Sequence, residues 1–190
     1  GELYTLVPKF SVNTVMGKTS IVGDKEGWTM EDLKALMAKY PDASVFGDTT
    51  TRSELLWMFM MYSGSQFVNR ETGKCSFDSQ EFVDLLEFMK QFPEEFDYST
   101  LPDDYWMNSQ KAYRDGKILL MSLNISDVES YITNIGMFGE PVTLIGFPAK
   151  EGNGAIISPN NVYMISSKSK NSDGAWQFLR YYLTDEYQKN

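Results

Sequence analysis

Histidine is absent from the sequence, which removes a usual zinc ligand and the usual neutral-pH general base. Cysteine occurs once, at Cys75, so no internal disulfide is available. Catalysis would have to rest on carboxylates, lysine or tyrosine, and no metal or other cofactor is expected. Cys75 itself reads as a buried or half-buried turn residue. Long apolar runs are missing too. The longest, Leu55 to Tyr62, is far shorter than the roughly 20 residues of a membrane span. The first residues lack the basic stretch and apolar core of a secretory leader. There is also no basic patch: 17 Lys and Arg face 26 Asp and Glu, a net charge of -9 spread along the chain. That balance argues against phosphate backbones and anionic lipid, so nucleic acid is not an expected partner.

What is present is ordinary for a folded α/β or α+β chain. The 190 residues are 42% hydrophobic and 23% charged, enough for one sizeable core or two small ones. Leu3 to Val7 and Phe10 to Met16 read as extended, and Gly17 to Gly27 as a loop. Thr29 with Asp32, and Trp28 placed to pack on Leu33, open a helix that Pro41 stops. Cap-x-x-Glu patterns recur at Thr51 and Glu54, Asp78 and Glu81, and Ser126 and Glu129. Phe77 and Phe82 flank the Asp78 start, and Phe82, Leu85, Leu86, Met89 and Phe92 form one apolar stripe. Strand-like runs lie at Ser44 to Phe46, Ile118 to Leu123, Val142 to Phe147 and Val162 to Ile165. Helices are expected from Ser172 through Leu183, with Trp176 in the core stripe, and from Thr184 to beyond Asn190. Alternating strands and helices predict an α/β layer domain.

The order of certain segments resembles a known family. Gly27-Trp28-Thr29 leads into an acidic helix start, and the Leu55 to Gly64 helix ends in Ser63-Gly64-Ser65. Phe77-Asp78-Ser79-Gln80-Glu81-Phe82 follows, then Tyr113-Arg114-Asp115-Gly116-Lys117 before an apolar strand, and Gly146-Phe147-Pro148. Ser166 to Lys170 then leads into Ala175-Trp176-Gln177-Phe178-Leu179 and Leu183-Thr184-Asp185-Glu186. This series is similar to the family 1 bacterial extracellular solute-binding proteins, the group that includes maltose-binding protein. The resemblance implies a class II periplasmic-binding-protein-like receptor of two α/β lobes that close on a ligand. Residues 1–190 would be a single lobe, the second, with 1–20 near the hinge crossing. The first lobe would be missing, and the chain would be truncated at both ends. It also implies a small polar ligand, a carbohydrate foremost, the permease subunits of an ABC importer as partners, and an extracellular or periplasmic place with a lipoprotein anchor.

Three segments are candidate ligand contacts. Thr49, Thr50, Arg52 and Glu54 stand at the start of a helix apolar enough to be buried all round. Its first N–H groups would face a ligand oxygen, although capping alone would also account for Thr51 and Glu54. Trp57 lies on the same helix, as core or as an aromatic near that mouth. Asn124 and Asp127 sit where a strand passes into a helix, the position of ligand sites in open α/β sheets. The resemblance places Asp127 where maltose-binding protein has an aromatic stacked on sugar. Asn160 and Asn161 follow Pro159 in a polar loop, as contacts or as turn residues. The two strand-to-helix junctions are expected to converge on one face. Two rival functions remain at this point. One is a glycoside hydrolase, for which Glu54 and Asp127 would have to face each other roughly 5 to 9 Å apart. The other is a carbohydrate-adhesion module.

Overall fold

Extended backbone from Lys9 to Lys18 forms β1, whose residues from Thr14 to Lys18 are all buried. Burial of consecutive residues means that both faces of this strand end are covered. The structure, a computed structural model, describes residues 5–150 and 153–189. The expected loop from Gly17 to Gly27 is shorter than its sequence suggested. Gly17 and Lys18 belong to β1, and Thr19–Val22 form a short helix, α1, ended by Gly23 at φ 83°. Of the first expected strand, only Leu6 is paired, bridging Tyr163, while Leu3 and Tyr4 lie outside the described residues.

Helix α2, Met30–Lys39, starts at Thr29, whose side chain accepts from the Asp32 N–H while Asp32 accepts from the Thr29 N–H. Trp28 and Leu33 are both in the core, and Trp28 Nε1 donates to the Gly146 carbonyl at 2.9 Å. Helix α3, Arg52–Ser63, has the same box between Thr51 and Glu54. It is not buried all round: Leu55, Phe59 and Ser63, one residue in four along a single face, are its buried positions. Helix α4, Gln80–Met89, is capped by Ser79 and not by Asp78. The Ser79 N–H bonds the Ser76 carbonyl at 3.2 Å, which holds Asp78 inside a turn. Phe77 and Phe82 still meet, with ring centroids 4.9 Å apart. The buried stripe is Leu85, Phe88 and Met89, whereas Leu86 is exposed.

Helix α5 spans Tyr105–Arg114, β2 spans Leu120–Ile125, and α6 spans Val128–Gly136. The cap of α6 is Asp127 rather than Ser126: its Oδ1 accepts from the Ser130 N–H at 2.7 Å, and the Ser126 hydroxyl donates to its Oδ2 at 2.8 Å. Strands β3, Val142–Leu144, and β4, Ile156–Asn160, follow, so Ser158 to Asn160 lie in a strand where a loop was expected. Helix α7 covers Ser172–Arg180, a tight turn takes Tyr181–Leu183, and α8, Asp185–Gln188, ends before Lys189. The sheet order is β2-β1-β3, with β4 also pairing β1. β3 runs antiparallel to β1, with Met16 opposite Leu144 and Lys18 opposite Val142. The expected strand at Ser44 to Phe46 is reduced to a parallel bridge from Ser44 to Ile118. The one expected at Val162 to Ile165 is reduced to the Tyr163 bridge.

The chain divides into two units, Asn13–Ile156 and Gly1–Val12 with Ile157–Asn190. The first holds the large core. Phe147 is fully buried between Phe59, whose ring lies edge-on at 4.4 Å, and Tyr62, stacked at 5.2 Å. Each such large side chain contributes about 1.5 to 3 kcal/mol by leaving water. The Phe147 N–H donates to the Gly154 carbonyl at 2.9 Å, bringing these two stretches of backbone together. A Cβ on Gly146 would lie 1.6 Å from the Asn153 oxygen, and one on Gly154 would lie 1.8 Å from the Phe147 oxygen. Contact that close is open only to glycine. In the second unit, among the described residues, Leu6 and Leu179 are the buried hydrophobics. Trp176, expected in a core stripe, is 43% exposed because α7 buries only Leu179. Tyr163, Tyr182 and Tyr187 pack together, with centroids 4.9 and 4.8 Å apart in sequence.

Candidate functional site

The segment before α3 turns because Gly47 adopts φ 100° and the Thr50 N–H closes on the Gly47 carbonyl. The Thr50 hydroxyl donates to the Phe46 carbonyl at 3.0 Å, fixing the loop against the core. A pocket of about 550 Å³ opens here, lined by Thr49, Thr50, Ser53, Glu54 and Trp57 from this one segment. Phe46 and Met58 supply apolar wall, and Tyr113 of α5 and Ser122 of β2 close it. That volume lies within the roughly 300 to 1,000 Å³ of small-molecule sites.

Trp57 is 63% exposed, so the core role open to it in the sequence is excluded. Glu54 Oε2 accepts from the Thr51 N–H at 2.8 Å and from the Thr51 hydroxyl at 2.9 Å. The carboxylate is thereby held rigidly at the pocket wall. The α3 N-terminus is less open than expected. Its Arg52 N–H donates to the Pro93 carbonyl and its Glu54 N–H to the Thr51 hydroxyl. Arg52 is not among the pocket residues. Its Nε donates to the Phe92 carbonyl at 3.4 Å and its guanidinium lies 3.7 Å from Glu94, so it ties α3 to the turn after α4.

Burial raises the Tyr113 phenol above its ordinary value, with the nearby Tyr105 adding to the shift. Burial also raises Tyr62, against a hydrogen bond with Ser122 that lowers it. Both phenols stay neutral at any physiological pH and act as hydrogen-bonding groups. Tyr113, Ser122, Ser53, Phe46 and Met58 were not singled out as site residues from the sequence. A serine interrupting the apolar Ile118–Leu123 run was the available signal for Ser122.

Asn124 shares a strand face with Ser122, and its amide donates to Asn13 Oδ1 at 2.7 Å. Asp127 caps α6, and its carboxyl is lowered first by the Ser130 N–H and next by the Ser126 hydroxyl. Neither Asn124 nor Asp127 lines the pocket. Asn160 ends β4, and exposed Asn161 turns the chain at φ 56°, both in the other unit. Cys75, expected to be at least half-buried, is exposed beside its bridge to Val68. Among the described residues no group of three or more Cys, Asp or Glu side chains is placed to hold a metal ion. No described helix is long and apolar enough to cross a membrane.

No curated protein matches the chain. Solved structures do. The GacH receptor of Streptomyces glaucescens GLA.O, studied unliganded and with acarbose, is 17% identical with a TM-score of 0.57 over 99% of this chain and 50% of that one. The sugar-binding protein MalE from Xanthomonas citri is 14% identical, with a TM-score of 0.60 over 95% of this chain and 48% of that one. An ABC transporter solute-binding protein from Thermotoga lettingae TMO, bound with alpha-D-tagatose, is 15% identical, with a TM-score of 0.57 over 97% and 50%. At such identities the likeness is one of fold: α/β, of the class II periplasmic solute-binding type. The chain spans about half the length of these structures, the share of one lobe. They are binding proteins rather than enzymes. Bacterial extracellular solute-binding proteins, as a family, match the chain across residues 1–190, and the chain belongs to that family.

Proposed function

We propose that residues 1–190 supply one lobe of an extracellular or periplasmic receptor that closes with a first lobe on a small carbohydrate. The first lobe comes from polypeptide beyond this sequence. The receptor delivers its solute to the permease subunits of an ABC importer and is held at the membrane by a lipid anchor. One observation carries the reading: Trp57 is a large aromatic left 63% exposed at a pocket that also offers Thr49, Thr50, Ser53, Glu54 and Ser122. A flat apolar face beside hydroxyl and carboxylate groups matches the two kinds of surface a sugar ring presents. Asn124, on the strand face of Ser122, extends this set toward the solute.

Hydrolysis of the sugar is not part of the proposal. Two facing carboxylates are needed for it, and among the described residues Glu54 is the one carboxylate that lines the pocket. Titration calorimetry of the full-length receptor against a panel of sugars tests the reading. One or more sugars should bind, and Trp57→Ala should weaken binding by about tenfold or more without lowering the melting temperature. Failure of every sugar to bind, or turnover of aryl glycosides that Glu54→Gln abolishes, would sink it.

A further inference from the structure

Among the described residues Lys18 is the one charged residue that is buried. It does not line the solute pocket. Its place follows from a need of α5, because the last four carbonyls of a helix have no partner within it. At the end of α5 the Lys111, Ala112 and Tyr113 carbonyls accept from the N–H groups of Asp115, Lys117 and Gly116. The fourth, of Arg114, accepts from the Lys18 ammonium at 2.8 Å. A cation there also meets the negative end of the helix dipole.

A buried ammonium needs a counter-charge. Glu140 supplies it, with Oε1 2.6 Å from the Lys18 ammonium, and the Ser20 hydroxyl donates to Oε2 at 2.9 Å. The chain reaches this place through Gly139, at φ 70°, where a Cβ would lie 3.1 Å from Arg114 Nε. One residue earlier, Phe138 is fully buried, and its ring centroid lies 5.1 Å from that of Tyr113. Residues 138–140 therefore hold the last turn of α5 twice: Phe138 backs the Tyr113 ring, and Glu140 holds the next carbonyl through Lys18. Tyr113 is a wall of the solute pocket. Strand β1, which carries Lys18, pairs with β2, which carries the pocket residue Ser122. Lys18 thus ties the sheet that offers Ser122 to the helix that offers Tyr113.

We propose that Lys18 is a positioning residue for solute binding: held by Glu140, its ammonium fixes the end of α5 so that the Tyr113 phenol keeps its place against the solute. The proposal rests on the sugar-binding reading above. The test is calorimetry of the full-length receptor with the tightest binder among glucose, galactose, fructose, maltose and raffinose. Lys18→Met keeps most of the stem, removes the charge, and should weaken binding about tenfold. Glu140→Gln, at a side chain that is 36% exposed and outside the pocket lining, should weaken it about threefold. In a Tyr113→Phe background, which lacks only the phenol oxygen, both losses should shrink to less than about twofold, since residues that act through one contact are not additive. Equal losses in both backgrounds, or a lowered melting temperature with affinity unchanged, make the role of Lys18 structural alone and overturn the proposal. If Lys18→Met does not fold, the Glu140→Gln cycle decides by the same comparison. No binding by the parent receptor anywhere in the panel overturns the sugar reading and this inference with it.

Discussion

Asp32 accepts from the Thr29 N–H at 2.8 Å, from the Thr29 hydroxyl at 2.9 Å and from the Lys25 ammonium at 3.1 Å. Its carboxyl therefore sits below the ordinary value, the Thr29 backbone bond being the largest cause and Lys25 the next. Asp97, Asp127 and Glu140 shift the same way, each through a hydrogen bond to its charged form. A lowered folded-state pKa means that the ionised group favours the fold. That contribution is fully present above the unfolded value, about 3.9 for aspartate, and is lost as pH falls through the lower folded value. The melting temperature should hold between pH 7 and about 5 and drop below about 4. Asp32→Asn should flatten part of the acid limb. An acid limb identical to that of the parent chain would remove Asp32 from the account.

The helix starts make a sharper test, because two of them lie one residue away from where the sequence pattern puts them. Ser79 accepts from the Phe82 N–H, whereas Asp78 is held in the preceding turn. Ser79→Ala should therefore cost about 1 kcal/mol of stability, the usual worth of a cap. Asp78→Ala should cost less than about 0.5 kcal/mol, as surface changes do. Denaturant unfolding of the two variants decides between the caps, and a larger loss in Asp78→Ala would reverse the assignment.

The same contrast shows which elements were legible. Thr29 with Asp32 and Thr51 with Glu54 are caps whose partners are three residues away, so sequence alone places them. Asp78-Ser79 and Ser126-Asp127 each offer two good caps side by side, and the long-range course of the chain selects the second. The run at Ser44 to Phe46 has strand composition, yet pairing is a property of its partner, and only one bridge to Ile118 forms. In the site, Thr49, Thr50, Glu54 and Trp57 were readable because they lie in one segment. Which way Trp57 faces was not, since an apolar run without polar breaks has no visible period. Tyr113 and Ser122 reach the pocket from elements some sixty residues later, a convergence that only the fold supplies.

For the whole molecule, the two units differ in how much apolar surface each hides. In the Asn13–Ile156 unit, Leu33, Leu55, Leu120, Ile145 and Phe147 are all fully buried. The other unit buries Leu6 and Leu179 while Phe10, Met164, Trp176 and Phe178 are exposed. Amide exchange tracks the free energy of local opening. Amides of α7, and the Leu6–Tyr163 pair, should exchange fastest, while those of β2 and the buried half of β1 should be the slowest. Uniform protection across both units would contradict this. The Gly146–Gly154 crossing carries another kind of consequence. Two carbonyl oxygens occupy the places where side chains would begin, so any single-base change that turns either codon into another amino acid forces the two backbone stretches apart beside Phe147. Surface codons elsewhere in the gene can drift, but those two triplets are fixed points, and a library of variants should leave them untouched.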